Sequence, residues 1–191
     1  MKNVKIFLVH GFEGHPNGGW RPWLMGELEK KEIYCGSLIM ENPNFPKSNE
    51  WVKEIQYNCK KFPKDEIILV GHSLGVPAIL KFLQENVELS KQLKGCVLVS
   101  GLYNDDVEDT RSDVLQSFFG EFDWDSLKNS SKRFVIIHGD NDQVVKYAQA
   151  EFMSEKLNAQ LICIKNGGHL NESAGFLKLP EVLESILEIS K

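Results

Sequence analysis

Ile67-Ile68-Leu69-Val70-Gly71-His72-Ser73-Leu74-Gly75-Val76-Pro77-Ala78-Ile79-Leu80 is the stretch that decides how this chain folds. Its first four residues read as a buried strand, and the run from Val76 to Val87 reads as a helix. Between them, Gly71, Ser73 and Gly75 fit the pattern G-x-S-x-G. Strand, sharp turn and helix in that order hold a serine hydroxyl outward at the end of a buried strand. The two glycines leave room that a side chain at either position would fill. Ser73 is therefore the candidate nucleophile. The plain alternative is a serine in an ordinary glycine-rich turn.

A serine hydroxyl is a weak nucleophile until an imidazole takes its proton. An acid hydrogen-bonded to that imidazole fixes its tautomer and stabilises the imidazolium. With this kind of turn the partners follow in the order serine, acid, histidine. The chain supplies both. Phe134-Val135-Ile136-Ile137 reads as a strand and leads into His138-Gly139-Asp140-Asn141-Asp142. Leu161-Ile162-Cys163-Ile164 reads as the next and leads into Asn166-Gly167-Gly168-His169. Asp142, ahead of a helix expected from near Val144, is the candidate acid. Asp140 competes with it but more simply shapes the turn. Either could instead be a common turn or helix-capping aspartate. His169, in a glycine-flanked loop, is the candidate base. His72 is expected to pack beneath the turn, His10 to end the first strand and His138 to sit near the core. His15 has no assigned role. Backbone N–H groups of Leu74, after the nucleophile, and Phe12, after the first strand, are the candidate oxyanion donors.

Outward from these motifs the chain alternates strands and helices. Strands are expected near 4–9, 34–40, 66–71, 95–100, 133–138 and 160–164, and helices near 21–32, 49–61, 75–87, 144–157 and 180–190. The strands are continuous apolar runs, as in a parallel sheet covered on both faces. That pattern predicts an α/β fold, a doubly wound parallel six-stranded sheet, in one domain over 1–191. Pro22 and Pro180 suit first-turn positions. Trp51, Ile55, Cys59 and Phe62 form a helical stripe expected to face the core. A net charge of −5 argues against nucleic acid or an anionic membrane as partner. Cys35, Cys59, Cys96 and Cys163 form no C-x-x-C pair and read as reduced structural thiols, hence a cytoplasmic setting. No apolar run approaches the roughly 20 residues of a membrane-crossing helix, and Ile6 to Val9 reads as strand rather than signal peptide.

The turn at Ser73, the His10-Gly11 pair, Asp142 and His169 together resemble an α/β-hydrolase. Trp20-Arg21-Pro22-Trp23-Leu24 and the long block from Gly71 to Leu80 resemble, more narrowly, the small serine hydrolases related to retinoblastoma-binding protein nine. The resemblance runs from Val4 to about Leu187. It implies a compact α/β-hydrolase fold of sheet order 2-1-3-4-5-6, lacking the first two strands of larger members and a full cap domain, with a Ser73-Asp142-His169 triad. Lys146 departs from that pattern, since proline often stands there.

Residues 101–131 form the one long connection. Asp105, Asp106, Glu108, Asp109 and Asp113 make its first half acidic, and Phe118, Phe119, Phe122 and Trp124 give the second half an apolar side. It reads as an aromatic-pinned solvated loop or as a partial lid. The glycine-rich stretch from Glu13 to Trp20 lacks a phosphate-binding pattern and reads as a wall of the active site. Trp20, Trp23 and Phe45 are candidate substrate-lining residues, with plain packing the alternative for each. The expected function is hydrolysis of a small ester, thioester or amide through an acyl-enzyme, without metal or organic cofactor. Two other functions stay open on the same fold: a protein-binding adaptor with a vestigial triad, and acyl transfer to an alcohol or amine.

Overall fold

The computed structural model describes residues 3–106 and 112–191. Its six strands are β1 (Val4–Val9), β2 (Tyr34–Ser37), β3 (Glu66–His72), β4 (Leu93–Val99), β5 (Phe134–Gly139) and β6 (Gln160–Ile164). All pair in parallel, in the order β2-β1-β3-β4-β5-β6. The helices are α1 (Arg21–Glu29), α2 (Ser48–Lys60), α3 (Gly75–Glu85), α4 (Val87–Ser90), α5 (Ser112–Leu115), α6 (Trp124–Lys128), α7 (Tyr147–Leu157) and α8 (Pro180–Ser190).

Strand alternation explains the two layers, because successive side chains point to opposite faces. Phe7, Val9, Ile67, Leu69, Leu98 and Ile136 meet Trp51 and Ile55 of α2, Ile79 and Phe82 of α3, and Met153 of α7. Ile6, Leu8, Ile68, Val70, Val97 and Ile137 meet Leu24 and Leu28 of α1 and Val182 and Ile186 of α8. Burial of both faces favours the branched apolar runs seen in the sequence. Trp51, Ile55 and Cys59 do face the core, and the Trp51 indole N–H also donates to Glu41 O at 2.8 Å.

Several boundaries differ from expectation for local reasons. The second strand stops at Ser37, its last residue paired with β1, and Ile39 beyond it is 76% exposed. The first helix stops at Glu29. Glu32 then adopts a left-handed φ of 59°, and Ile33 N–H closes back on Leu28 O. The helix expected from Val144 begins at Tyr147, because the N–H groups of Val144 and Val145 go to a side chain instead. Cys59 and Cys96 are buried and Cys35 half-buried, but Cys163 is exposed on the edge strand β6.

In the long connection, Phe118 is buried and Phe119, Phe122 and Trp124 pack on the first core layer. Asp106 pairs with Lys146 at 2.6 Å. Glu108, Asp109 and the Asp113 side chain lie outside the described residues. No described helix is long and apolar enough to cross a membrane.

Candidate active site

All the candidate residues lie where strands of the sheet end at their carboxyl side, the usual position for sites in open parallel sheets. Ser73 follows the last residue of β3 and precedes α3 by one residue. Its φ is 54°, a left-handed conformation that costs a residue other than glycine about 1–3 kcal/mol and persists only where the surroundings impose it. Here Ser73 N–H donates to Val99 O, and Val76 N–H donates to Ser73 O, both at 2.9 Å. A Cβ at Gly75 would collide with the carbonyl oxygen of Val9, and one at Gly11 would lie 2.8 Å from Ser73 Cβ. The loop after β1 can therefore pass directly against the serine only because these two residues are glycines.

The loops after β5 and β6 are stitched together side chain by side chain. Asp140 Oδ1 accepts from Asn166 N–H and Asn141 Oδ1 from Gly168 N–H, both at 2.7 Å. Asp142 Oδ1 accepts from the N–H groups of Val144 and Val145 at 2.8 and 3.0 Å. Its Oδ2 accepts from His169 Nδ1–H at 2.8 Å. The two aspartates thus separate by contact: Asp140 braces the loop, and Asp142 touches the imidazole. Burial alone would raise the Asp142 carboxyl. The hydrogen bonds from His138, His169 and Val145 outweigh that and hold it below the usual carboxylate range.

Two residues given no role at this site by the sequence brace it. His138 is fully buried; its Nε2–H donates to Val145 O at 2.9 Å and lies 3.3 Å from Asp142 Oδ2. His72 Nε2–H donates to His169 O at 2.9 Å, and Trp20 Nε1–H donates to Leu170 O at 2.9 Å. Burial pushes His72 down to about 3, so it is a neutral donor at neutral pH. Burial likewise pushes His10 down to about 4, against the effect of its hydrogen bond to Gly11 O. Chain order and a glycine-flanked position after the sixth strand signalled His169, but nothing local signalled its clamps. They span 97 and 150 residues of chain.

Two clefts meet at Ser73 and His169. One, of about 250 Å³, is polar and is lined by His15, Gly18, Trp20, Arg21, Asn171 and Glu172, among others. The other, of about 190 Å³, is lined by Leu74, Leu102, Leu115, Val144 and Val145. Phe12 borders both. Ser73 and His169 are not hydrogen-bonded to each other among the described contacts; such bonds are often long before substrate binds. Trp20 is 1% exposed, forming wall and clamp together. Trp23 packs on the second core layer and Phe45 is 74% exposed; neither lines either cleft. Among the described residues no cluster of His, Cys, Asp and Glu is arranged to hold a metal ion.

Such a site offers a strained serine, an imidazole oriented by a buried carboxylate, and two pockets of opposite character. Residues 6–188 match the family model described as serine hydrolase. The Bacillus subtilis (strain 168) protein YdeN is 32% identical over 181 residues, covering 94% of this chain and 93% of that protein. The crystal structure of the B. subtilis ydeN gene product superimposes with a TM-score of 0.85 at 29% identity, covering 99% and 98% of the two chains. Est1E from Butyrivibrio proteoclasticus shares the fold, with a TM-score of 0.74 at 19% identity over 98% of this chain and 88% of that one.

Proposed function

The chain belongs to the serine hydrolase family, and from that premise we propose that it cleaves a small ester, thioester or amide through a Ser73-His169-Asp142 triad. The observation that carries this reading is the left-handed Ser73 beside an imidazole whose Nδ1–H is bound to Asp142 at 2.8 Å. Within the family, the segment Trp20-Arg21-Pro22-Trp23-Leu24 supports a place near the hydrolases related to retinoblastoma-binding protein nine. Four free cysteines accord with a reducing, cytoplasmic setting.

In this mechanism Ser73 Oγ attacks the substrate carbonyl while His169 Nε2 takes the hydroxyl proton. Asp142 holds the Nδ1–H tautomer and offsets the imidazolium charge. The N–H groups of Leu74 and Phe12 receive the developing oxyanion. His169 then returns the proton to the departing oxygen, sulfur or nitrogen, leaving an acyl-enzyme. Water, deprotonated by the same imidazole, attacks that ester and frees the acid and Ser73.

A fluorophosphonate probe and a short-chain aryl ester test the proposal together. Wild type should be labelled and should turn the ester over, and Ser73→Ala should lose both. Equal turnover by Ser73→Ala would remove the nucleophile from the scheme. A wild type neither labelled nor active would favour the adaptor.

A further inference from the structure

Arg21 is a buried cation with too few partners. It is 6% exposed, opens α1 and lines the polar cleft with Ser73 and His169. Its Nη2–H donates to His15 O at 2.9 Å, while its Nε is buried with no hydrogen-bond partner. No ion pair to it forms among the described residues. Glu172, whose charge the guanidinium feels, accepts instead from Gly19 N–H at 3.3 Å. Burial lowers Arg21 only to about 10, so it remains charged at neutral pH. Buried charges are ordinarily paired, and one that is not, in a cleft beside a reactive group, marks a binding function.

The surrounding chain is shaped to that charge. A Cβ at Gly18 would lie 2.7 Å from Arg21 Nη2, so glycine there lets the tip of the guanidinium sit where it does without shifting. The charge is felt across the cleft wall, where it helps to keep both His10 and His72 neutral. The more apolar cleft across Ser73 has no Lys or Arg among its described lining residues and suits an acyl chain. A substrate spanning both clefts sets its carbonyl at Ser73 and its departing alcohol in the polar cleft.

We propose that Arg21 selects substrates whose leaving group carries a carboxylate, binding it in the polar cleft. The inference rests on Ser73 being the nucleophile and names the class of leaving group. A guanidinium presents a planar fork of donors that matches a carboxylate in a way an ammonium does not. Glu13 and Glu172 stand exposed at the rim of the same cleft and disfavour a more highly charged anion.

The test compares 3-carboxyphenyl acetate with 3-carbamoylphenyl acetate, reading the ratio of their kcat/KM values. Following that ratio across variants cancels the intrinsic difference between the two esters. Arg21→Met should lower it by about tenfold to a hundredfold, the scale of hydrogen bonds to a charged group. Arg21→Lys should keep part of it, and Glu172→Gln should raise it. A ratio unchanged in folded Arg21→Met overturns the proposal, as does an equal fall for both esters. If Arg21→Met does not fold, Arg21→Lys and Glu172→Gln decide: the ratio must fall in the first and rise in the second. Saturation-transfer NMR with 3-hydroxybenzoate and 3-hydroxybenzamide adds a readout independent of turnover. Preferential binding of the carboxylate by wild type, weakened in the Arg21 variants, supports the site, and equal binding of the two overturns it. Absence of both turnover and fluorophosphonate labelling would instead sink the hydrolase reading, with the NMR result still deciding the anion site.

Discussion

At the amino end of β5 lies a cleft of about 370 Å³, lined by Lys128, Lys132, Arg133 and Asn158, and it is larger than either cleft at Ser73. Its charges are matched at the surface. Glu66 takes Lys132 at 2.8 Å and Lys94 at 3.0 Å, and Arg133 reaches Glu188 at 2.8 Å. At the carboxyl end of the same sheet the polar groups are sunk. His10, His72, His138, Asp142, His169 and Arg21 are each at most 9% exposed. They are held by hydrogen bonds within and between the loops there, and two of them, Arg21 at Nε and His138 at Nδ1, have a buried nitrogen without a partner. Volume therefore does not mark the proposed site of chemistry in this molecule. What marks it is desolvation, which strengthens every remaining interaction and moves protons.

The contrast can be broken most severely at Asp142. Asp142→Asn keeps the shape but offers His169 the wrong partner, and kcat should fall by about 10⁴. Asp140→Asn, which loses one loop contact, should cost far less, with circular dichroism showing both variants folded. If Asp140→Asn did the greater damage in a folded protein, the assignment of the acid would be reversed.

A smaller effect should appear in stability against pH. His10 and His72 are neutral in the fold, with values of about 4 and 3, but protonate near 6.5 when unfolded. The unfolded chain thus binds more protons below pH 6.5. Stability is complete above that pH and is lost as pH falls toward the folded values, by about 2 kcal/mol for each histidine at pH 5. Asp142 adds a loss below about pH 4, where its unfolded carboxyl gains a proton and its folded one resists. Thermal melts from pH 7 to 4.5 should show the decline, with a shallower slope in His72→Gln. Parallel curves for the two proteins would refute the role given to His72.

The smallest effect belongs to the other end. Glu66→Gln loosens its pairs with Lys94 and Lys132 and should cost less than about 1 kcal/mol, the scale of surface ion pairs. Ester turnover should be unaltered. A larger loss, or any change in kcat, would mean that the two ends are coupled through β3 and β4.

Legibility followed the range of the interactions. The turn at Ser73 was readable because its strand, glycines and helix are contiguous, and the parallel sheet followed from the alternation of apolar runs, its order from the resemblance to α/β-hydrolases. His138 was read only as a core residue. Its link to Asp142 is local, but depends on a turn whose N–H groups point back at the carboxylate. The helix start at Tyr147 was misplaced for the same reason: Asp142 takes the N–H groups that an earlier start would leave to the helix. Trp20 was read as substrate-lining. Its anchoring of Leu170 could not be seen, since that bond joins residues 150 apart in the chain.

That last contact has a consequence in time. A ribosome delivers residues at about 5–20 per second, and amino-terminal parts begin to fold first. His72 and its partner His169 are 97 residues apart, so the serine's turn emerges about 5–20 seconds before the carbonyl it must hold. Until Asp142 emerges a nascent chain can carry the serine but neither imidazole nor acid, and until His169 emerges it has the acid without its imidazole. On the proposed mechanism, reactivity therefore waits until the loop after β6 is available to Trp20 and His72.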